Sequence, residues 1–228
     1  MNNENYTASE AAMVAEPEKI TQFYQKAIEK HGDRSLMAAR WSSEEKALSL
    51  YQGISHLPQH NWQEIQSVLD IGSGQGYFLQ FLREQQHFQG KYVGLEFLPE
   101  FDRVAKQLYG HDPQAEFVCG EFLSYPFPGQ TFDWIFSIGS LSPKKKDQES
   151  FDRAFTDKMA QLANRGFSLF LNDIKYIAPS RLEQAPDLAV HNVDRFAADL
   201  EQRFPGSQVS IVHYPQKPSQ HSFVHVVL

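Results

Sequence analysis

The residues best suited to do chemistry lie in VLDIGSGQGYFLQFL, residues 68–82. An apolar run there meets a turn holding Asp70, Gly72, Ser73, Gly74 and Gly76, and Phe78, Phe81 and Leu82 follow at helical spacing. Glycine tolerates positive φ and lets a ligand approach the backbone with no Cβ in the way. The turn therefore predicts a ligand cradle at the carboxyl end of a first strand. Position 77 is Tyr rather than the third Gly of a dinucleotide fingerprint, which argues against nicotinamide, and the absence of a Gly-Lys-Ser/Thr sequence excludes a P-loop. Twenty residues beyond Gly76, at the end of KYVGLEF, stands Glu96. A carboxylate at that offset can accept both hydroxyls of a ribose. FVCGEF then supplies Glu121 and Phe122, and TFDWIFSIGS supplies Ser137 and Ile138. Taken singly, Glu96 would read as a solvated strand end and the glycines as an ordinary turn. Together they fall at the ends of successive apolar runs, so one sheet edge would collect them all.

The elements that would position these residues can be read from periodicity. Apolar runs at 67–71, 91–95, 115–118 and 132–138 alternate with helix-like patterns such as Val104, Ala105 and Leu108. That alternation predicts an α/β fold, Rossmann-like and doubly wound, with a mostly parallel sheet. A further helix is expected from Asp147 to Asn164, then the strand GFSLFLNDI, then a helix through Val193, Phe196, Ala197 and Leu200. SQVSIVHY and HSFVHVVL close the chain as an antiparallel hairpin, completing seven strands. Before the sheet, Ile20, Phe23, Tyr24, Ala27 and Ile28 mark one helix that starts near Pro17 and ends at Gly32. Ser42 and Glu45 have capping-box spacing for a second, which Pro58 would stop. Residues 1–15 read as a flexible tail and 16–228 as one domain, with 16–60 a helical lid and 61–228 the core.

Composition bounds what such a domain can do. The 228 residues carry 21 Lys plus Arg against 28 Asp plus Glu, a net charge of −7 that argues against broad binding to nucleic-acid backbones. Hydrophobic residues make up 41%, enough to build a core. One cysteine, Cys119, permits neither an internal disulfide nor a cysteine zinc cluster, which fits a reducing, cytoplasmic location. No apolar run has the length of a membrane span, and the polar start does not read as a signal peptide. The histidines suggest no metal: Pro58 interrupts the His56–His60 pair, and His221 with His225 has no evident carboxylate partner.

The ordered set VLDIGSGQGYF, Glu96, Glu121 and SIGS resembles the class I S-adenosylmethionine-dependent methyltransferases over nearly the whole chain. FYQKAIEKHGDRSLMAARWSS, FSIGSLSPKKK, GFSLFLNDIKY and VHYPQKPSQHSFVHVV are similar to a bacterial subgroup of methyltransferases with no assigned substrate. The resemblance implies S-adenosyl-L-methionine as methyl donor, S-adenosyl-L-homocysteine as product, and a small-molecule acceptor. It implies that Asp70, Gly72 and Gly74 line the methionyl part, that Glu96 holds the ribose and that Phe97 packs on the adenine. Glu121 stands where the family more often has Asp for the adenine amine. Phe122 would add apolar cover or a backbone donor, and Ser137 and Ile138 would present backbone to the methionyl amine. A non-catalytic sensor or partner subunit, or transfer of an aminopropyl group from a decarboxylated cofactor, would use the same fold. The fourth run ends in SIGS, not Asn-Pro-Pro-aromatic, and no Pro-Cys pair is present, so the acceptor motifs of nucleic-acid methylases are missing.

Other residues carry two readings each. Trp41 is either a core aromatic or a cover over the cofactor. Arg40 either clamps the methionyl carboxylate, to which a guanidinium can bind in bidentate fashion, or is solvated. Lys144, Lys145 and Lys146 read first as a solvated loop. His213, Tyr214, Asp173 and His191 are candidate proton acceptors, with no substrate in view to choose among them.

Overall fold

The computed structural model describes residues 17–39, 41, 43–213 and 222–228, except for the side chains of 17–19 and Phe23. Helices α1 (Pro17–His31) and α2 (Glu44–Ile54) precede the sheet. The core then runs β1 (Ser67–Ile71), α3 (Tyr77–Gln85), β2 (Lys91–Glu96), α4 (Pro99–Tyr109), β3 (Ala115–Cys119), β4 (Phe132–Ser137), α5 (Gln148–Leu162) and β5 (Ala163–Leu171). A 3₁₀ turn (Ile174–Tyr176), α6 (Pro179–Gln184), α7 (Val193–Arg203), β6 (Gln208–His213) and β7 (Ser222–Val227) complete it.

The seven strands lie in the order β3-β2-β1-β4-β5-β7-β6. Strands β1 to β5 pair in parallel, and β7 runs antiparallel between β5 and β6. The order reverses between β1 and β4, so a crevice opens outside their carboxyl ends. Strand alternation splits the core in two. Val68, Trp134 and Phe136 face α2 and α3 with Phe78, Phe81 and Leu82, while Leu69, Ile71, Ile135 and Phe167 face α5 and α7 with Phe155, Met159 and Leu200. A strand buried on both faces must be apolar throughout, which explains the continuous runs in the sequence.

Several boundaries shift from the sequence reading for local reasons. Helix α2 is capped by Ser43, whose Oγ accepts from Lys46 N at 3.2 Å, one residue later than the expected cap Ser42, which lies outside the described residues. Asp147 caps α5 rather than opening it, and the last strand of the parallel set starts at Ala163, earlier than Gly166. Asp133 sits inside β4; its carboxylate accepts from Gln66 N at 2.7 Å and ties the amino ends of β1 and β4 together. Gly32, at φ +81°, ends α1 as expected, with its N–H bonded to Ile28 O. The turn between β6 and β7 lies outside the described residues. No described helix is long and apolar enough to cross a membrane.

Candidate functional site

The glycine turn is held open by its neighbours. Gly72 N and Ser73 N both donate to Leu95 O of β2, at 2.8 and 3.1 Å, and Ser140 Oγ donates to Ile71 O at 2.7 Å. Gly74 has φ +55°, and a Cβ there would meet nothing within 4 Å, so its open side faces a cavity. Gly76 also has positive φ, +83°, but for a different reason. A Cβ there would strike Tyr109 and Phe117 at 2.9 and 3.1 Å, so this glycine lets α3 start close against α4 and β3. It is a packing glycine and does not line the cavity, contrary to the sequence expectation.

The cavity, of about 1180 Å³, covers the carboxyl ends of β1, β2 and β4. Asp70, Gly72, Ser73, Gly74, Glu96, Phe97, Glu121, Phe122 and Ile138 all line it. Ser137 does not: it is fully buried as the last residue of β4, with its hydroxyl unpartnered. Trp41 lines the cavity and packs edge-on against Tyr51 at 6.5 Å. Arg40 lies outside the described residues.

Two buried carboxylates form the floor. Glu96 is 7% exposed; Oε2 accepts from Gly74 N at 2.7 Å and Oε1 from Leu98 N at 2.8 Å. Asp70 is 2% exposed and accepts from Tyr92 Oη at 2.5 Å. Gly94 stands opposite Asp70 in the β1–β2 register, and a Cβ there would meet the Phe117 ring and Ser73 Oγ, both at 2.8 Å. Neither acid forms an ion pair among the described residues. Burial pushes both carboxyls up to about 7, and the backbone donors to Glu96 and the Tyr92 hydroxyl to Asp70 pull the other way. A buried carboxylate without a cation is costly. This floor therefore fits a ligand that brings hydroxyls and a positive charge, as the cofactor implied by the resemblance would.

One lysine that the sequence reading missed contacts the loop after β3, which lines the cavity through Glu121 and Phe122. Lys158 of α5 donates to Leu123 O and Tyr125 O at 2.9 and 2.6 Å and lies 5.3 Å from the Phe122 ring centroid. It fixes the loop after β3, within which Glu121 Oε2 accepts from Ser124 N at 2.8 Å. Lys145 was read as solvated but is half-buried, with Nζ 4.7 Å over the Phe151 ring. Burial lowers its pKa, and Glu121 and Asp152 oppose that shift. A second missed residue is Gln75, 1% exposed, whose Nε2 donates to Asp33 O and Ser35 O, both at 3.0 Å. Both residues act on segments 33 or more positions away, and no local spacing signals such contacts.

The candidate proton acceptors stand apart from the cavity lining. His191 is buried and bonded to Asp152 Oδ2 at 3.0 Å. Asp173 is fully buried and accepts from Ser222 Oγ at 2.9 Å and from Lys175 N at 3.1 Å. His213 is exposed and joins Ser222 Oγ through Nδ1 at 3.0 Å. Tyr214 lies outside the described residues. His60 bonds Glu64, and among the described residues no cluster of three or more His, Cys, Asp or Glu side chains could hold a metal ion.

Comparison with known proteins places this geometry. Residues 68–166 match the family model described as a methyltransferase domain. A 2-phytyl-1,4-naphtoquinone methyltransferase of Thermosynechococcus vestitus is 35% identical over 78 residues. That match covers 33% of this chain and only 35% of the relative, so the chain spans about a third of the curated relative's length. Among solved structures, the N-methyltransferase NodS from Bradyrhizobium japonicum WM9, in complex with S-adenosyl-L-homocysteine, aligns with a TM-score of 0.65 at 13% identity, over 91% of this chain and 97% of that one. Magnesium protoporphyrin IX methyltransferase from Synechocystis PCC 6803, also with the homocysteine product bound, aligns at 0.56 and 12% identity over 99% and 89%. At such identities the two structures are similar in fold.

Proposed function

We propose that the protein, whose residues 68–166 match a methyltransferase-domain model and whose fold is that of solved methyltransferases, transfers a methyl group from S-adenosyl-L-methionine to a small-molecule acceptor. The observation that carries this reading is the cavity floor, where Asp70 and Glu96 lie buried without a cationic partner beside the open backbone of Gly74. When bound, the donor supplies a sulfonium methyl group already activated for in-line displacement, leaving a neutral thioether. The chain's own residues then have to bind, orient and exclude water. Glu96 accepts the ribose hydroxyls, Asp70 faces the positive methionyl end, and Phe97, Phe122 and Glu121 enclose the adenine. Tyr92 and Lys158 keep Asp70 and the post-β3 loop in place.

The cavity exceeds the roughly 300–1,000 Å³ of a single drug-sized site, so donor and acceptor can occupy it together. That extra space favours an enzyme over a protein that only senses the cofactor. The net charge of −7 supports a small acceptor rather than a nucleic acid. Calorimetry with S-adenosyl-L-homocysteine tests the reading. One site is expected, and Glu96→Ala should weaken binding by about ten- to a hundredfold, the loss of charged hydrogen bonds worth about 1.5–3 kcal/mol. Wild-type affinity in the variant would remove Glu96 from the ribose site, and no binding to the wild type would remove the function.

A further inference from the structure

Resting on the methyl-transfer reading, we propose that the acceptor is an organic anion, an apolar body carrying a carboxylate or phosphate that Lys46, Lys144 and Arg181 hold in the cavity. The cavity is lined by charges of both signs. Asp70, Glu96 and Glu121 line it, and so do Lys46 of α2, Lys144 of the loop after β4 and Arg181 of α6. Three elements distant in sequence thus bring cations to one space.

None of the three has a carboxylate within ion-pair distance among the described residues, in a chain with 28 acids and 21 bases. Elsewhere cations find acids readily: Arg203 pairs with Asp157 at 2.6 Å, and Arg103 with Asp33 at 2.7 Å. Asp187 is the acidic side chain on this wall, and its contact with Lys144 is through backbone, Lys144 N donating to Asp187 O at 2.8 Å. Lys145 also lines the cavity, but the negative charges of Glu121 and Asp152 act on it.

The wall that carries Lys144 is pinned. Ala189 N donates to Ser142 O at 2.7 Å, and Asn172 Nδ2 donates to Ser142 Oγ and Ala189 O, both at 3.1 Å. Between the cations the lining is apolar and open: Met37 is 46% and Tyr176 37% exposed, and both face the cavity with Trp41. Exposed apolar side chains grouped with unpaired cations match an amphipathic anion. A neutral acceptor would leave the cations unused, and a cationic one would be repelled.

The test uses the full chain saturated with S-adenosyl-L-homocysteine and titrates 2-naphthoate, 2-naphthyl phosphate and 2-naphthamide by calorimetry. At least one of the two anions should bind ten times more tightly than the amide, and the preferred one identifies carboxylate or phosphate as the handle. In the Lys144→Gln/Arg181→Gln double variant that advantage should fall below twofold, with S-adenosyl-L-homocysteine affinity retained. An amide that binds as tightly as both anions, no binding by any of the three, or an anion preference that survives in the variant would overturn the proposal. Failure of the wild type to bind S-adenosyl-L-homocysteine would instead overturn the function on which it rests.

Discussion

Asp70 and Glu96 are held in a state that only a ligand can relieve. Each is buried, and each has its carboxyl pushed up to about 7 because burial disfavours the charge more than Tyr92, Gly74 and Leu98 favour it. A ligand that offers an ammonium to Asp70 and two hydroxyls to Glu96 interacts better with the ionised forms. Binding should therefore lower both pKa values and release protons near neutrality. The sign follows directly: affinity for S-adenosyl-L-homocysteine rises from pH 6 to pH 8. Calorimetry at pH 7 in buffers of different ionisation enthalpy should register net proton release, and release should fall in Glu96→Gln. Proton uptake, or an affinity flat across that range, would show that these carboxyls do not meet the ligand.

At the scale of elements, the glycine turn and the N-terminal helices are joined by side chains. Gln75 donates to Asp33 O and Ser35 O, Tyr77 Oη donates to Arg34 O at 2.5 Å, and Arg103 pairs with Asp33. Tyr24, Met37, Trp41 and Lys46 bring that segment to the cavity. If the segment closes over a loaded site, hydrogen exchange over 20–55 should slow about tenfold or more when S-adenosyl-L-homocysteine saturates the protein. Gln75→Leu should lose that slowing over 33–39 while the 72–78 loop keeps it; identical exchange in the two proteins would refute the latch. The sheet itself was legible, because strands buried on both faces leave uninterrupted apolar runs, and 67–71 and 132–138 fall on β1 and β4. The cavity lining was legible where it follows strand ends, as at Gly74, Glu96 and Phe122. It was not legible where a residue serves a distant segment: Gln75 reaches back 42 positions and Lys158 reaches 35. Gly76 misled because packing against Tyr109 and Phe117 demands glycine as strictly as a ligand does. The α2 cap slipped by one residue because WSSEE offers two adjacent serines, each followed by acidic residues.

At the scale of the whole molecule, the buried acids and one buried histidine set opposite dependences of stability on pH. Trp134 Nε1 donates to Ser168 Oγ at 2.8 Å, and the same oxygen shares a hydrogen bond of 2.8 Å with His225 Nδ1. His225 is fully buried between β5 and β6, and its Nε2 has no hydrogen-bond partner among the described residues. Burial lowers its pKa to about 4. Its unfolded form takes up a proton near 6.5, so its contribution to stability is present above that pH and is lost as pH falls toward 4, on the order of 3 kcal/mol in all. Asp70 and Glu96 act in reverse. Their folded pKa values are raised, so the stability they contribute is present at low pH and is lost as pH rises toward 7. In the ligand-free protein these trends offset one another. Saturating S-adenosyl-L-homocysteine removes the acid part by compensating the carboxylates, so urea unfolding of the complex should show stability climbing from pH 5 to pH 7. His225→Leu keeps the site apolar and removes the titrating ring, and in the complex it should flatten that climb by about 2 kcal/mol over the same interval. An equal slope in the variant would mean that His225 does not govern the acid limb, and that other groups must take up the protons on unfolding.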